Sequence, residues 1–152
     1  MTATVSVDRV EVLRADAPER ALAVAHAQFE KSTIVIPADW AARTSRLIAA
    51  GQLDLFVARS SGQALGYATL TRGVSTWAAE PYGYLDCLFV AEGHRDAGVG
   101  PLLVTAVAEH ARSVGLRELQ WQTPSWNAGA IRFYTRLGAA RSGKEHFALR
   151  LE

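Results

Sequence analysis

A nearly continuous apolar segment, YLDCLFV at residues 84–90, is followed by two closely spaced glycines and a second apolar run. Continuous apolarity over this length is typical of a strand that is covered on both faces of a sheet. In the second run Leu103, Val107, Ala111 and Val114 recur at spacings of four, four and three, which predicts a helix with one buried face. A central strand, a glycine loop and a helix therefore follow one another, which favours a mixed α/β fold.

The loop HRDAGVG at residues 94–100 places one arginine and two glycines before that helix. Glycine lets a ligand approach the backbone, and a helix start offers unpaired N–H groups at the positive end of a dipole. Together these features favour an anion, most often a phosphate. Leu103 stands where a dinucleotide fingerprint needs a third glycine, and the lysine of a P-loop is missing. A pyrophosphate site and a turn without ligand both stay open on these residues alone.

The remaining chain alternates the patterns of strands and helices. Strands are predicted over residues 5–15, 53–60, 64–73, 84–90, 116–123 and 145–151, with a turn at 61–63 and a loop at 77–83 that contains Pro81 and Gly83. Helices are predicted from an N-cap at Asp16 to about Phe29, over 38–50, from Gly100 to Gly115, and over 127–138. This order predicts one mixed α/β domain over residues 1–152.

Composition narrows the class of protein. With 16 basic and 15 acidic residues, the chain has no charge excess that would favour a nucleic-acid partner. The single cysteine, Cys87, permits no internal disulfide and gives no sign of secretion. The first residues lack the apolar core of a signal peptide, and no apolar stretch approaches the ~18 residues of a membrane span. We therefore expect a cytoplasmic enzyme or binding module without a membrane partner.

Two sequence blocks resemble those of a known enzyme family. RDAGVGPLL at residues 95–103 resembles the acetyl-CoA motif of the GNAT family of N-acetyltransferases, an Arg-x-x-Gly-x-Gly followed by two leucines. WNAGAIRFYTRLGA at residues 126–139 resembles the second signature of that family. The resemblance extends over about residues 5–151. It implies a GNAT fold, α/β (α+β), with a mixed central sheet of six to seven strands, about four helices and splayed central strands.

The resemblance implies acetyl-CoA as the cosubstrate and direct transfer of its acetyl group to an amine. Pantetheine would insert between the splayed strands and bond to one of them like an added strand. Asn127 would contact CoA, although an asparagine at this point is also a good helix N-cap. The residues implied to bind acetyl-CoA are Leu88, Phe89, Val90, Arg95, Asp96, Ala97, Gly98, Val99, Gly100, Pro101 and Asn127.

Two residues are candidates for proton transfer. Tyr134 matches the general acid of the family, which protonates the departing thiolate of CoA; the alternative is a core aromatic beside Phe133. Asp86 is the candidate base, because most amines are protonated at pH 7 and a carboxylate in an apolar strand is costly unless it is paired or used. A structural aspartate is the alternative. Asp86 resembles an acidic position of the polyamine-acetylating branch, but Cys87 replaces the second acid of that branch.

The acceptor is less well defined than the cofactor. The candidate substrate-binding residues are Glu30, Glu80, Asp86 and Trp126. The four histidines show no metal-ligand spacing, so no metal site is predicted. The first hypothesis is acetylation of a small primary amine, such as a polyamine, an amino acid or an aminoglycoside. The alternatives are acetylation of a protein N-terminus or lysine, and a non-catalytic sensor of acyl-CoA. The resemblance also implies a possible homodimer.

Overall fold

The computed structural model describes residues 3–152, which form two compact units that divide after Trp121. The first unit contains β1 (Ser6–Val10), α1 (Glu19–Phe29), α2 (Trp40–Ala49), β2 (Asp54–Ser60), β3 (Gln63–Ser75), β4 (Glu80–Val90), α3 (Val99–Ser113) and β5 (Leu119–Gln120). The second unit contains α4 (Ala128–Arg136). The single domain over residues 1–152 stays a prediction.

The sheet of the first unit has five strands in the order β1-β2-β3-β4-β5. Neighbouring strands are antiparallel except for β4 and β5, which run parallel because α3 connects them. The mixed sheet and the four helices confirm the predicted fold class. The predicted strand count of six to seven exceeds the five strands of the described residues.

The strand predicted at residues 145–151 accounts for that difference. Phe147, Leu149 and Leu151 alternate as a strand pattern requires, but their exposures are 87%, 85% and 89%. A strand is stable only beside another strand or a packed face. The second unit offers no strand among its described residues, so the alternating pattern has no hydrogen-bonding neighbour there.

Three local predictions were wrong for identifiable reasons. Asp16 does not cap α1, because its carboxylate pairs with Arg14 and Pro18 occupies the N-cap. Val114 does not join the buried face of α3, since the helix ends at Ser113 and Val114 is 45% exposed. The predicted loop at 77–83 is shorter, because β4 already begins at Glu80.

Each face of the sheet carries its own core cluster. On one face α3 packs its buried residues Val99, Leu103, Val107 and Ala111 against the strands, as the spacing predicted for the last three. On the other face Leu22 and Ala23 of α1 belong to a cluster with residues of β2, β3 and β4. We call this second side the α1 face. Among residues 3–152, no helix combines the length and the apolar content that crossing a bilayer requires.

Candidate active site

The strands β4 and β5 separate soon after they meet. They pair only at Gly83 with Leu119 and at Tyr84 with Gln120. From Leu85 to Val90, β4 keeps β3 on one side and has no strand neighbour on the other side among the described residues of the first unit. The splayed central strands are therefore confirmed. The open stretch of β4 presents backbone groups to which an extended ligand could bond.

A β-bulge places Asp86 at the start of this open stretch. Thr69 pairs with Cys87 and Leu70 with Leu85, so Asp86 has no partner across the ladder. The N–H of Cys87 donates a hydrogen bond of 3.0 Å to the hydroxyl of Thr69. Bulges bend a strand and redirect its side chains. Asp86 is consequently exposed, so the burial cost that suggested a base at this position is not observed.

Three hydrogen-bonded side chains, two of them buried, lie on the α1 face and were not predicted from the sequence. His26 of α1 is 2.7 Å from the hydroxyl of Tyr67 through Nδ1 and 2.7 Å from Oε2 of Glu30 through Nε2. The His26 ring also stacks on Phe89, with a centroid distance of 5.0 Å. The spacing of His26 and Glu30 by one helical turn was a usable signal, whereas nothing local pointed to Tyr67.

Burial determines where the protons lie in the hydrogen bonds that join Tyr67, His26 and Glu30. It lowers the pKa of His26 below its ordinary value, and the neighbouring Glu30 carboxylate opposes this effect only in part. Burial also raises the pKa of Tyr67, which keeps the phenol protonated. The neutral arrangement that satisfies both contacts has Tyr67 O–H donating to Nδ1 and Nε2–H donating to Glu30.

Glu30 and Asp86 act electrostatically on the same neighbours. Both carboxylates help to raise the pKa of Tyr67 and of Cys87, after the larger effect of burial. The pKa of the Cys87 thiol rises to about 11, so Cys87 is a neutral thiol at pH 7. Its Sγ lies 3.8 Å from Oδ2 of Asp86. The structure thus brings two of the predicted acidic residues to the α1 face.

The glycine loop leads into α3 as predicted. Gly98 is the N-cap of α3 and has φ of 82°, in the left-handed region that glycine tolerates best. Arg95 secures the loop, because its Nε donates a hydrogen bond of 2.9 Å to the carbonyl of Val90. Its guanidinium also lies over the rings of Phe29 and Phe89, at 4.5 and 5.3 Å from their centroids. Arg95 therefore joins the loop to the ends of β4 and α1.

The other predicted residues belong to the start of β4 or to the second unit. Glu80 is exposed at the start of β4, about 20 Å along the strand from Asp86. In the second unit, Asn127 caps α4, since its Oδ1 accepts a hydrogen bond of 3.2 Å from the N–H of Ala130. Tyr134 is half-buried beside Phe133, and Trp126 is 48% exposed. Within residues 3–152, no group of three or more His, Cys, Asp or Glu side chains could hold a metal ion.

Known proteins resemble this chain both in sequence and in fold. It is 34% identical to an L-ornithine N5-acetyltransferase of Arabidopsis thaliana over 74 residues, 49% of this chain and 32% of that protein. It is 31% identical to a D-amino-acid N-acetyltransferase of Saccharomyces cerevisiae over 77 residues, 51% of this chain and 48% of that protein. The matched segments thus span less than half of either relative.

The solved structure of an aminoglycoside N-acetyltransferase in complex with CoA has a TM-score of 0.78 to this chain. The match covers 99% of this chain and 97% of that one at 21% identity, so it is a likeness of fold. The model of the acetyltransferase (GNAT) family matches residues 20–139, which include the open stretch of β4, the glycine loop and α4. The chain therefore belongs to the acetyltransferase (GNAT) family.

Proposed function

We propose that the protein transfers an acetyl group from acetyl-CoA to a primary amine of a small molecule. One observation carries the proposal: in a member of this family, β4 is open from Leu85 to Val90 and leads directly into a glycine loop at a helix start. The open backbone suits the amide-rich pantetheine arm. The N–H groups at the start of α3 suit the pyrophosphate.

The contacts of the glycine loop indicate which residues would hold each part of acetyl-CoA. Pantetheine would bond to the backbone of Leu88, Phe89 and Val90, and pyrophosphate would lie on residues 95–101. Arg95 uses its Nε for the carbonyl of Val90 and its guanidinium for the ring of Phe29. We therefore assign Arg95 the task of holding the loop in place for the phosphates. Asn127 is proposed as a further CoA contact, on the resemblance of its sequence block.

Acetyl transfer requires two proton movements. The acceptor arrives as an ammonium ion, and Asp86, exposed on the bulge, takes one of its protons. The neutral nitrogen then attacks the carbonyl carbon of the thioester and forms a tetrahedral intermediate. On the resemblance of its sequence block, Tyr134 is the proposed acid that gives its phenolic proton to the sulfur as the C–S bond breaks, and the proton on the new amide nitrogen leaves to solvent. Asp86 then releases its proton and Tyr134 regains one from solvent, so the balanced products are the acetylated amine, CoA thiol and one proton.

The acidic character of the α1 face supports a cationic acceptor. Glu30 and Asp86 are both near His26 and Tyr67, whereas Glu80 is too distant to belong to the proposed site. The names of the two relatives describe enzymes that act on amino acids. We therefore favour a small amine over a protein N-terminus or lysine.

The experiment that tests the function measures release of CoA thiol from acetyl-CoA with a panel of acceptors. The panel contains polyamines, ornithine, D-amino acids, aminoglycosides and peptides with free N-termini. We expect turnover of at least one small amine. Turnover of peptides alone would replace the proposal with protein acetylation. Binding of acetyl-CoA without turnover of any acceptor would replace it with the non-catalytic sensor.

Substituting Gly98 with alanine is expected to raise the KM for acetyl-CoA about tenfold. A Cβ at Gly98 would meet no described atom within 4 Å, so crowding is not the cause. The cause is φ of 82°, because the left-handed region costs a residue with a side chain about 1–2 kcal/mol. That amount corresponds to roughly tenfold in binding if the loop relaxes out of its binding geometry.

Gly115 provides a matched control for this substitution. It has φ of 85°, a Cβ there would also meet nothing within 4 Å, and it follows the other end of α3, about 22 Å away. Gly115→Ala should lower stability as Gly98→Ala does and leave the KM for acetyl-CoA unchanged. Equal KM values for the two variants would argue against a phosphate site at Gly98.

A further inference from the structure

The helix dipole does not favour a carboxylate at the position of Glu30. Glu30 is the C-cap of α1, where the helix dipole is negative and a carboxylate is unfavourable. Its side chain nevertheless stays 30% exposed and is held by Nε2 of His26 at 2.7 Å. A charge that opposes the dipole, yet is fixed in one place, suggests a role outside helix formation.

The support behind Glu30 is buried and rigid. His26 is 9% exposed and Tyr67 is 4% exposed. Each nitrogen of the His26 ring has a partner, so rotating the ring would break the contact with Tyr67 as well as that with Glu30. Stacking on Phe89 fixes the plane of the ring. The carboxylate of Glu30 is thus tied through His26 to Tyr67 of β3, in the middle of the sheet.

The charged groups around His26, Tyr67 and Glu30 determine which ligand these side chains could bind. Glu30 approaches His26 from α1, Asp86 from β4 and Arg95 from the loop after β4. Tyr67 and Cys87, on β3 and β4, add no charge at pH 7, and burial raises the pKa of each still further above 7. Two carboxylates and one guanidinium therefore act on His26, and that guanidinium is already engaged with Val90 and Phe29. This balance favours a ligand with more than one positive charge.

We infer that Glu30 binds a second ammonium group of the acceptor, remote from the reacting nitrogen, and that His26 and Tyr67 are positioning residues for it. The inference rests on the proposed function, in which Asp86 serves the reacting amine. It defines the acceptor class as small molecules with at least two amino groups. His26 and Tyr67 do not touch the acceptor. They hold the Glu30 carboxylate in the orientation that the second ammonium group requires.

The test measures binding and needs no turnover. Protein saturated with CoA is titrated by calorimetry with 1,4-diaminobutane and with butylamine, which differ by one amino group. We expect the wild type to prefer the diamine and Glu30→Gln to lower its affinity for the diamine about tenfold, the loss of one charged hydrogen bond. The affinity for butylamine should not change in this variant.

The two positioning residues are tested by His26→Gln and Tyr67→Phe. Both variants should weaken diamine binding more than butylamine binding. A purely structural role of His26 and Tyr67 would instead weaken the binding of both ligands equally. Tyr67→Phe removes one oxygen atom and so keeps the test usable if His26→Gln does not fold. His110→Gln is the matched control, since Nε2 of His110 also faces a carboxylate, Asp54, at 3.3 Å. It should leave the ratio of the two affinities unchanged.

The outcomes separate this inference from the proposed function. Equal wild-type affinity for the two amines, absence of diamine binding, or an unchanged ratio in Glu30→Gln would each overturn the role of Glu30, even if thiol release shows acetylation of another amine. Diamine selectivity that depends on Glu30 would support the inference, even if the panel showed no thiol release. In that case the chain would bind diamines without acetylating them.

Discussion

Replacing Asp86 with asparagine is expected to lower kcat at pH 7 by about 100-fold, the lower end of the range for general acid–base catalysis. Asparagine has the same shape as aspartate but cannot accept the proton of an ammonium ion. The affinity for acetyl-CoA should stay within about twofold, because the proposed cofactor contacts begin two residues later along β4 and use backbone atoms. The measurement is steady-state thiol release with the best acceptor of the panel.

Because Asp86 lies on a bulge, Asp86→Asn tests proton transfer without a large change in the stability of the fold. Asp86 has no ladder partner and is exposed, so its substitution should change the free energy of unfolding by no more than about 0.5 kcal/mol. A base is needed only while the amine is protonated. The deficit of Asp86→Asn should therefore shrink as the pH rises toward ~10, where alkylamines lose their proton in solution.

Asp8→Asn is the matched control for Asp86→Asn. Asp8 is an exposed aspartate on β1, three strands from β4 and so roughly 14 Å away across the sheet. Its substitution makes the same chemical change in the same sheet and should leave kcat unaltered. Wild-type turnover of Asp86→Asn at pH 7, or a deficit that is the same at every pH, would remove Asp86 as the base.

Local pattern was enough to predict the β4–loop–α3 unit. Its signals are short in range: a continuous apolar strand, a glycine where φ is positive, and buried side chains one helical turn apart, such as Leu103 and Val107. Each signal lies within one element, so no knowledge of distant contacts is needed. The resemblance then supplied the splay of the strands, which no local pattern encodes.

Features that depend on pairing between distant segments escaped prediction. The bulge at Asp86 arises from the way β4 pairs with β3. It leaves the carboxylate of Asp86 exposed, although the sequence pattern predicted a buried one. His26 and Tyr67 are 41 residues apart in the chain and meet only because α1 packs on that face of the sheet. Glu80, by contrast, was an acidic candidate in the sequence. It is the first residue of β4 and therefore lies far from Asp86 along the strand.

Replacing Tyr134 with phenylalanine is expected to lower kcat by about 100-fold, a typical loss for a proton donor, with little change in the affinity for acetyl-CoA. The thiolate of CoA is a poorer leaving group than the protonated thiol, so without a donor the tetrahedral intermediate returns to reactants more often. Tyr134 is half-buried on α4 beside Phe133, and phenylalanine keeps the ring and its packing. The predicted loss concerns kcat, and the melting temperature of the variant is measured beside it to show that the variant is folded.

The control for this substitution is Tyr82→Phe, which removes a hydroxyl from β4 near its first residue, where the ring of Tyr82 covers Gly73. It should leave kcat unchanged.

Tyr134→Phe should also differ from Asp86→Asn in its pH dependence. Raising the pH from about 7 to about 9, below the pH at which a phenol ordinarily loses its proton, supplies neutral amine but no proton donor for the departing sulfur. The deficit of Tyr134→Phe should therefore persist over this range, whereas that of Asp86→Asn shrinks. If the Tyr134→Phe deficit also shrank over this range, Tyr134 would act on the amine and not on the thiolate. If kcat stayed within about threefold of the wild type, far from the loss that general acid catalysis predicts, Tyr134 would be a packing residue of α4.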